Sequence, residues 1–191
     1  MNNERRRFLK ATGFGISVLS LTGATLLLSP SEAKAQNLAF KVLDANEAKL
    51  LEAIGDQMMP GASKAGIAYF VDEQLTKPYE ENLLMARYLQ VEPPMANFYK
   101  GALAVFGGFC MKTHGKPFTE LDHKTRKLLI GSIFQVGPRG PQNPEGWQGP
   151  PAFLVYLALR ADAVDVVTGT KEGFEKLGTP YLAHIEPQQK W

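Results

Sequence analysis

Cysteine is nearly absent: Cys110 is the only one in 191 residues. That excludes an internal disulfide. It also excludes the paired-cysteine spacings that attach a c-type haem or hold an iron–sulfur cluster. Histidine is almost as scarce. His114, His123 and His184 stand at no metal-ligand spacing from one another, from the cysteine or from a carboxylate, so a surface or half-buried role suits each better than a ligand role. Gly66, Gly107-Gly108 and Gly137 form no dinucleotide fingerprint, and no Gly-x-Ser-x-Gly elbow exists. The formal net charge is only +2, and the basic surplus lies near the N-terminus, which removes the electrostatic case for nucleic acid. Carboxylates are scattered. Asp162 and Asp165 lie one helical turn apart, and the expectation is that they face Arg160 and solvent. The chain is therefore expected to carry no catalytic residue, bind no metal and hold no cofactor of its own.

What is present begins with an address. Arg5-Arg6-Arg7-Phe8-Leu9-Lys10 follows a short polar start. Ala11 to Leu28 is apolar but diluted by Gly13, Gly15 and Gly23, and Ser29 to Ala35 ends in the small-x-small pattern of Ala33-Lys34-Ala35. This is the layout of a twin-arginine export signal, with Arg5, Arg6, Phe8, Leu9 and Lys10 as its core. Cleavage is expected after Ala35, within recognition of Ala33 and Ala35. Residues 1–35 are then the signal, and residues 36–191 one domain of ordinary size. A general secretory signal and an uncleaved anchor are the competing readings, since 18 apolar residues just reach across a bilayer.

The remaining chain reads as helices. Asp44 and Glu47 form a capping box, and Leu50, Leu51, Ile54 and Met58 follow at helical spacing. Met59-Pro60-Gly61 stops that helix. A second is expected over residues 65–76, burying Ile67, Phe70, Val71 and Leu75 with Asp72, Glu73 and Gln74 outward. A third is expected over residues 80–90. A long, small-sided helix over residues 94–112 reads as the central, mostly buried one. Thr119 is expected to cap a fifth helix through Leu128, Leu129, Ile133 and Phe134, with His123, Lys124, Arg126 and Lys127 as its solvated face. Residues 136–151 hold five prolines and four glycines, which excludes helix. A helix over residues 152–167, with Phe153, Leu154, Leu157, Val164 and Val167 available for burial, and a short one over residues 171–177 complete an all-α domain of roughly six helices.

A long loop that carries a tryptophan is a common contact surface. Trp147 is either such a contact or folded back into the core. Cys110 is either a small buried residue or a thiol that bonds another chain. Phe109, Cys110, Trp147 and Tyr156 are the candidate partner contacts. An exported chain without a reactive group of its own suggests that one leader serves two chains, this one and a cofactor-loaded partner. The alternative is a free-standing ligand-binding or enzymatic helical domain of the periplasm.

The leader, Leu50-Leu51-Glu52-Ala53-Ile54, the Met59-Pro60-Gly61-Ala62 turn with Ala65-Gly66-Ile67, and Phe70-Val71-Asp72 resemble the small subunit of gluconate 2-dehydrogenase, subunit 3 or the gamma chain. The segment from Gly146-Trp147 to Thr170, with Leu159-Arg160-Ala161-Asp162-Ala163-Val164, is similar to that family too. Some members end in a glycine-rich tyrosine and asparagine segment, where this chain has Gly169-Thr170-Lys171-Glu172-Gly173-Phe174. The resemblance implies a non-catalytic subunit of a periplasmic dehydrogenase complex, membrane-associated through other subunits. It implies a large FAD-dependent partner of the glucose–methanol–choline type acting on a sugar, sugar acid or glycoside, and a c-type cytochrome carrying haem c. It implies carriage of the large subunit through the twin-arginine translocase.

Overall fold

The capping box at Asp44 forms as its residue types require. The Asp44 carboxylate accepts from the Asn46 and Glu47 amides at 2.8 Å, and Glu47 accepts from the Asp44 amide at 2.8 Å. This computed structural model describes residues 16–19, 25–137, 140–169 and 171–178. The twin-arginine residues Arg5, Arg6, Phe8, Leu9 and Lys10, together with His184, lie outside them.

In chain order the elements are β1 (Ile16–Leu19), β2 (Thr25–Leu28), α1 (Pro30–Ala35), α2 (Ala45–Met58), α3 (Ala62–Ala65) and α4 (Ile67–Leu75). There follow α5 (Met85–Tyr88), α6 (Met95–His114), α7 (His123–Ile133), β3 (Val136–Gly137), β4 (Gly140–Pro141), α8 (Ala152–Thr168) and α9 (Lys171–Lys176). Single 3-10 turns occupy Tyr79–Glu81 and Phe118–Glu120. The fold is all-α. Its only pairings among the described residues are the antiparallel β1–β2 and β3–β4 contacts, in the apolar leader run and in the proline-rich loop.

The centre of the array is α2 and α8, not the glycine-rich helix. α8 packs against α2, α3, α4, α5 and α6. Its sequence is apolar nearly all round, so no face is marked for burial. The buried seam is Ala152, Val155, Ala158, Leu159, Asp162, Ala163 and Val166, and the expected Phe153, Leu154, Leu157, Val164 and Val167 are only half-buried. α6 buries Phe98, Tyr99, Ala102, Leu103, Phe106 and Cys110 but leaves Ala104, Gly108 and Met111 exposed. A glycine offers no apolar side chain, so a small-sided stripe gains little by burial. On α2 and α4 the expected apolar residues Leu51, Ile54, Met58, Ile67, Phe70 and Val71 are buried, whereas Leu50 and Leu75 are half-buried.

Three expectations fail, two of them through the burial of polar side chains. Asp72, Glu73 and Gln74 do not point outward; they are 4%, 8% and 0% exposed. Asp72 accepts the Lys41, Val42 and Leu43 amides at 2.8 Å each and fixes that segment on α4. The helix expected over residues 80–90 shrinks to α5, because buried side chains take the amides that would have propagated it. Leu83 donates to Gln74 Oε1, Leu84 to Asn82 Oδ1 and Met85 to Asp162 Oδ1. Thr119 caps no α-helix. It sits inside the 3-10 turn, and Asp122 caps α7 by accepting from the Thr125 amide. Within α7, Leu129 and Ile133 are buried but Leu128 is 65% exposed. Arg126 leaves the solvated face, donating to the Phe118 and Thr119 carbonyls and lying over the Phe118 ring.

Candidate functional site

The expected contact residues converge around an aromatic cluster between α6, α7, α8 and the proline-rich loop. Phe134 lies 5.2 Å from Tyr156 and 6.4 Å from Trp147, and Phe109 lies 6.3 Å from Trp147 (ring centroids). Trp147 itself is core. It is 6% exposed, and its indole N–H donates to the Pro150 carbonyl at 2.8 Å. Gly149 lets the loop lie flat on α6: a Cβ there would stand 2.5 Å from Val105 Cγ2. The Asn143 side chain accepts from the Ala152 amide at the start of α8. Proline and glycine therefore make this loop ordered and adherent, with its tryptophan as the inward anchor.

Cys110 is likewise inside. It is fully buried, its thiol donates to the Lys116 carbonyl at 3.3 Å, and burial pushes the thiol above its ordinary value. Such a cysteine is a poor nucleophile. Phe109 and Tyr156 remain half-buried and reach the surface. Beside Phe109 a shallow groove of about 180 Å³ is lined by Val105, Gly108, Phe109, Lys112, Gly146 and Gln148. Cofactor and drug-sized ligands occupy roughly 300–1,000 Å³, so the groove is small for either. Trp147 packs on Phe109 behind it.

Sequence reasoning missed a buried carboxyl. Asp162 does not face Arg160 or solvent. It is completely buried, accepting from the Tyr99 hydroxyl at 2.6 Å and the Met85 amide at 2.9 Å. Arg160 turns away and donates to the Met58 carbonyl at the end of α2. Burial raises the Asp162 carboxyl to about 7, against the opposing effect of its two hydrogen bonds, with the Asp165 charge adding to the rise. Tyr99, also fully buried, is held well above the ordinary phenol value by burial and then by Asp162. This pair joins α5, α6 and α8. It has no opening to solvent through which a substrate could approach, so its chemistry is that of a structural clasp. Because α8 is apolar nearly all round, Ala158, Leu159, Ala163 and Val166 beside Asp162 gave no sequence signal that it turns inward.

No three His, Cys, Asp or Glu side chains come together among the described residues in a way that could hold a metal ion. None of the described helices is long and apolar enough to cross a membrane. A family model described as gluconate 2-dehydrogenase subunit 3 matches residues 45–184. The chain belongs to the gluconate 2-dehydrogenase subunit 3 family. The expected kinship therefore holds, and with it the coarse role: a subunit type of an oxidoreductase complex. No curated protein and no solved structure matches the chain. The matched span opens at the first residue of α2 and contains α2 through α9, including the Asp162 clasp, the aromatic cluster and its groove. β1, β2, α1 and the segment held by Asp72 precede it.

Proposed function

We propose that this chain is the non-catalytic small subunit of an exported, FAD-dependent dehydrogenase complex, and that it carries the large flavoprotein across the membrane and supports its assembly. The observation that carries the reading is the subunit 3 match over residues 45–184. The leader adds to it, since the Arg5-Arg6-x-Phe8-Leu9-Lys10 string addresses proteins that cross folded. The large partner is a flavoprotein of the glucose–methanol–choline type that oxidises a sugar, sugar acid or glycoside. A c-type cytochrome accepts its electrons, and the complex works in the periplasm, held at the membrane through its other subunits. A small helical subunit bound to a large partner also gains stability by mass action. The face it offers is the groove beside Phe109, with Lys112 in its wall, together with the half-buried Tyr156 of the adjoining aromatic cluster.

Replacing Arg5 and Arg6 together with lysine tests the shared route. Both this chain and the flavoprotein are expected to stay in the cytoplasm, as cell fractionation and dehydrogenase activity will read. A flavoprotein that reaches the periplasm without this chain would sink the idea. Phe109→Ala with Tyr156→Ala is expected to weaken co-purification roughly tenfold or more, because truncated aromatic anchors at an interface centre cost on that scale. Trp147→Ala and Cys110→Ser are unsuited to this test, since both side chains support the fold.

A further inference from the structure

The leader junction is built into the domain. Residues Pro30–Ala35 form α1, with Ser29 as N-cap in a complete capping box: Ser29 Oγ accepts from the Glu32 amide, and Glu32 accepts from the Ser29 amide at 2.7 Å. The turn is closed on its far side by Gln36, Asn37 and Leu38, whose amides donate to the Glu32, Lys34 and Ala33 carbonyls. Ala33 is fully buried, in a cluster with Tyr69, Leu38 and Phe40. The Lys34 ammonium donates to Glu52 Oε1 at 2.5 Å and to Ser63 Oγ at 2.8 Å. Phe40 packs on the Tyr69 ring at 4.6 Å, and Asp72 then holds residues 41–43. The α3–α4 junction is shaped to receive this helix. Gly66 has φ +87°, and a Cβ on it would stand 2.3 Å from the Pro30 carbonyl oxygen. Any other residue there would push α1 off the body.

A peptidase that reads small residues three and one positions before the scissile bond must take that stretch extended, with both side chains in its pockets. Ala35 is exposed, but Ala33 is sealed inside and the backbone between them is helical. Cleavage of folded protein proceeds from the locally open state, at a rate set by how rarely that state forms. Opening here breaks the capping box, both Lys34 contacts and the burial of Ala33 and Phe40 together. A chain exported folded meets the peptidase only after α1 has docked. We infer that the folded domain masks its own Ala33-Lys34-Ala35 cleavage segment, so that the leader stays attached to the exported protein. The consequence for export rests on the twin-arginine reading, whereas the masking itself does not.

The test uses the purified full-length chain, leader included, and purified bacterial signal peptidase in detergent, with intact mass as the readout. The wild-type chain is expected to keep its full mass while an unstructured peptide covering residues 22–44 is cut after Ala35. Glu52→Ala with Ser63→Ala removes both partners of Lys34 and leaves the recognition residues untouched. It is expected to speed release of the chain beginning at Gln36 by roughly tenfold, as a more populated open state requires. Gly66→Ala is expected to do the same more strongly, with circular dichroism checking that α2 through α8 remain folded. Cleavage of the folded wild type as fast as the peptide would overturn the masking. So would a peptide that is not cut, or variants that are cut no faster than wild type. Fractionation of the Arg5→Lys, Arg6→Lys chain scores the export reading separately, because its failure leaves these rates unchanged.

Discussion

Two buried aspartates, Asp72 and Asp162, solve the same problem in different surroundings. Asp72 lies on α4 near the surface and gathers three successive backbone amides, those of Lys41, Val42 and Leu43. Asp162 lies at the centre of α8 with one amide and one phenol hydroxyl, and burial lifts it to about 7. Each pins a neighbouring segment through its backbone amides, the run into α2 in one case and the first residue of the short helix α5 in the other. The donors and the depth differ. Near the surface, water can replace a lost partner. In the centre it cannot, and the groups left behind bear the full cost of desolvation.

That difference is open to attack, and the largest effect is expected from Asp162→Ala. It orphans the Met85 amide and the Tyr99 hydroxyl and opens a cavity, which together cost about 3–5 kcal/mol. Urea denaturation with unchanged slope will show it as a lower midpoint. Next comes pH. The Asp162 carboxyl is raised in the folded state, so folding holds its proton more tightly than the unfolded chain does. Its contribution is then complete below about pH 4 and is lost as pH rises through about 7. The loss amounts to roughly 3 kcal/mol of stability over that window. Asp162→Asn retains an oxygen acceptor for the Met85 amide and an amide that can pair with Tyr99, but it cannot ionise. Subtracting its denaturation curves from those of wild type is expected to expose this slope, and parallel curves from pH 4 to pH 7 would refute it.

Asp72→Ala is expected to cost less, about 2–3 kcal/mol, because the three amides lose their acceptor but those of Lys41 and Val42 are only part-buried. Hydrogen exchange at Lys41, Val42 and Leu43 is expected to quicken before the core exchanges. If the core loosens equally, the two aspartates are equivalent and the contrast fails. The smallest effect is Trp147→Phe, which keeps the ring contacts with Phe109 and Phe134 and loses the 2.8 Å bond to the Pro150 carbonyl. A cost of about 1 kcal/mol is expected in thermal denaturation.

The proline-rich loop illustrates how far local signals reach. Its composition excludes helix, and none forms among its described residues. Whether Trp147 faced a partner or the core was open from the sequence, because the same residues serve either purpose. The answer lies in Gly149 against Val105 and in the bond to Pro150, both products of packing. The contact candidates divide in the same way. Phe109 and Tyr156 reach the surface, whereas Trp147 and Cys110 are buried, and nothing along the chain distinguishes the four.

The sequence by itself determined where α2 begins, that α6 and α8 are long helices, that residues 136–151 break the pattern, and to which family the chain belongs. The first three follow from caps, breakers and periodicity, which act over a few residues and need no partner, and the family follows from the likeness of the residues along the chain. Only the tertiary structure decided that α2 and α8 are central, that Asp72, Gln74, Asn82 and Asp162 turn inward, and that the third helix shrinks to α5. It also decided that the leader junction folds onto α4. The reason is physical. A polar side chain is buried only where donors and acceptors meet it, and Met85 meets Asp162 across 77 residues of chain. Such a match leaves no trace at either position until the chain has folded.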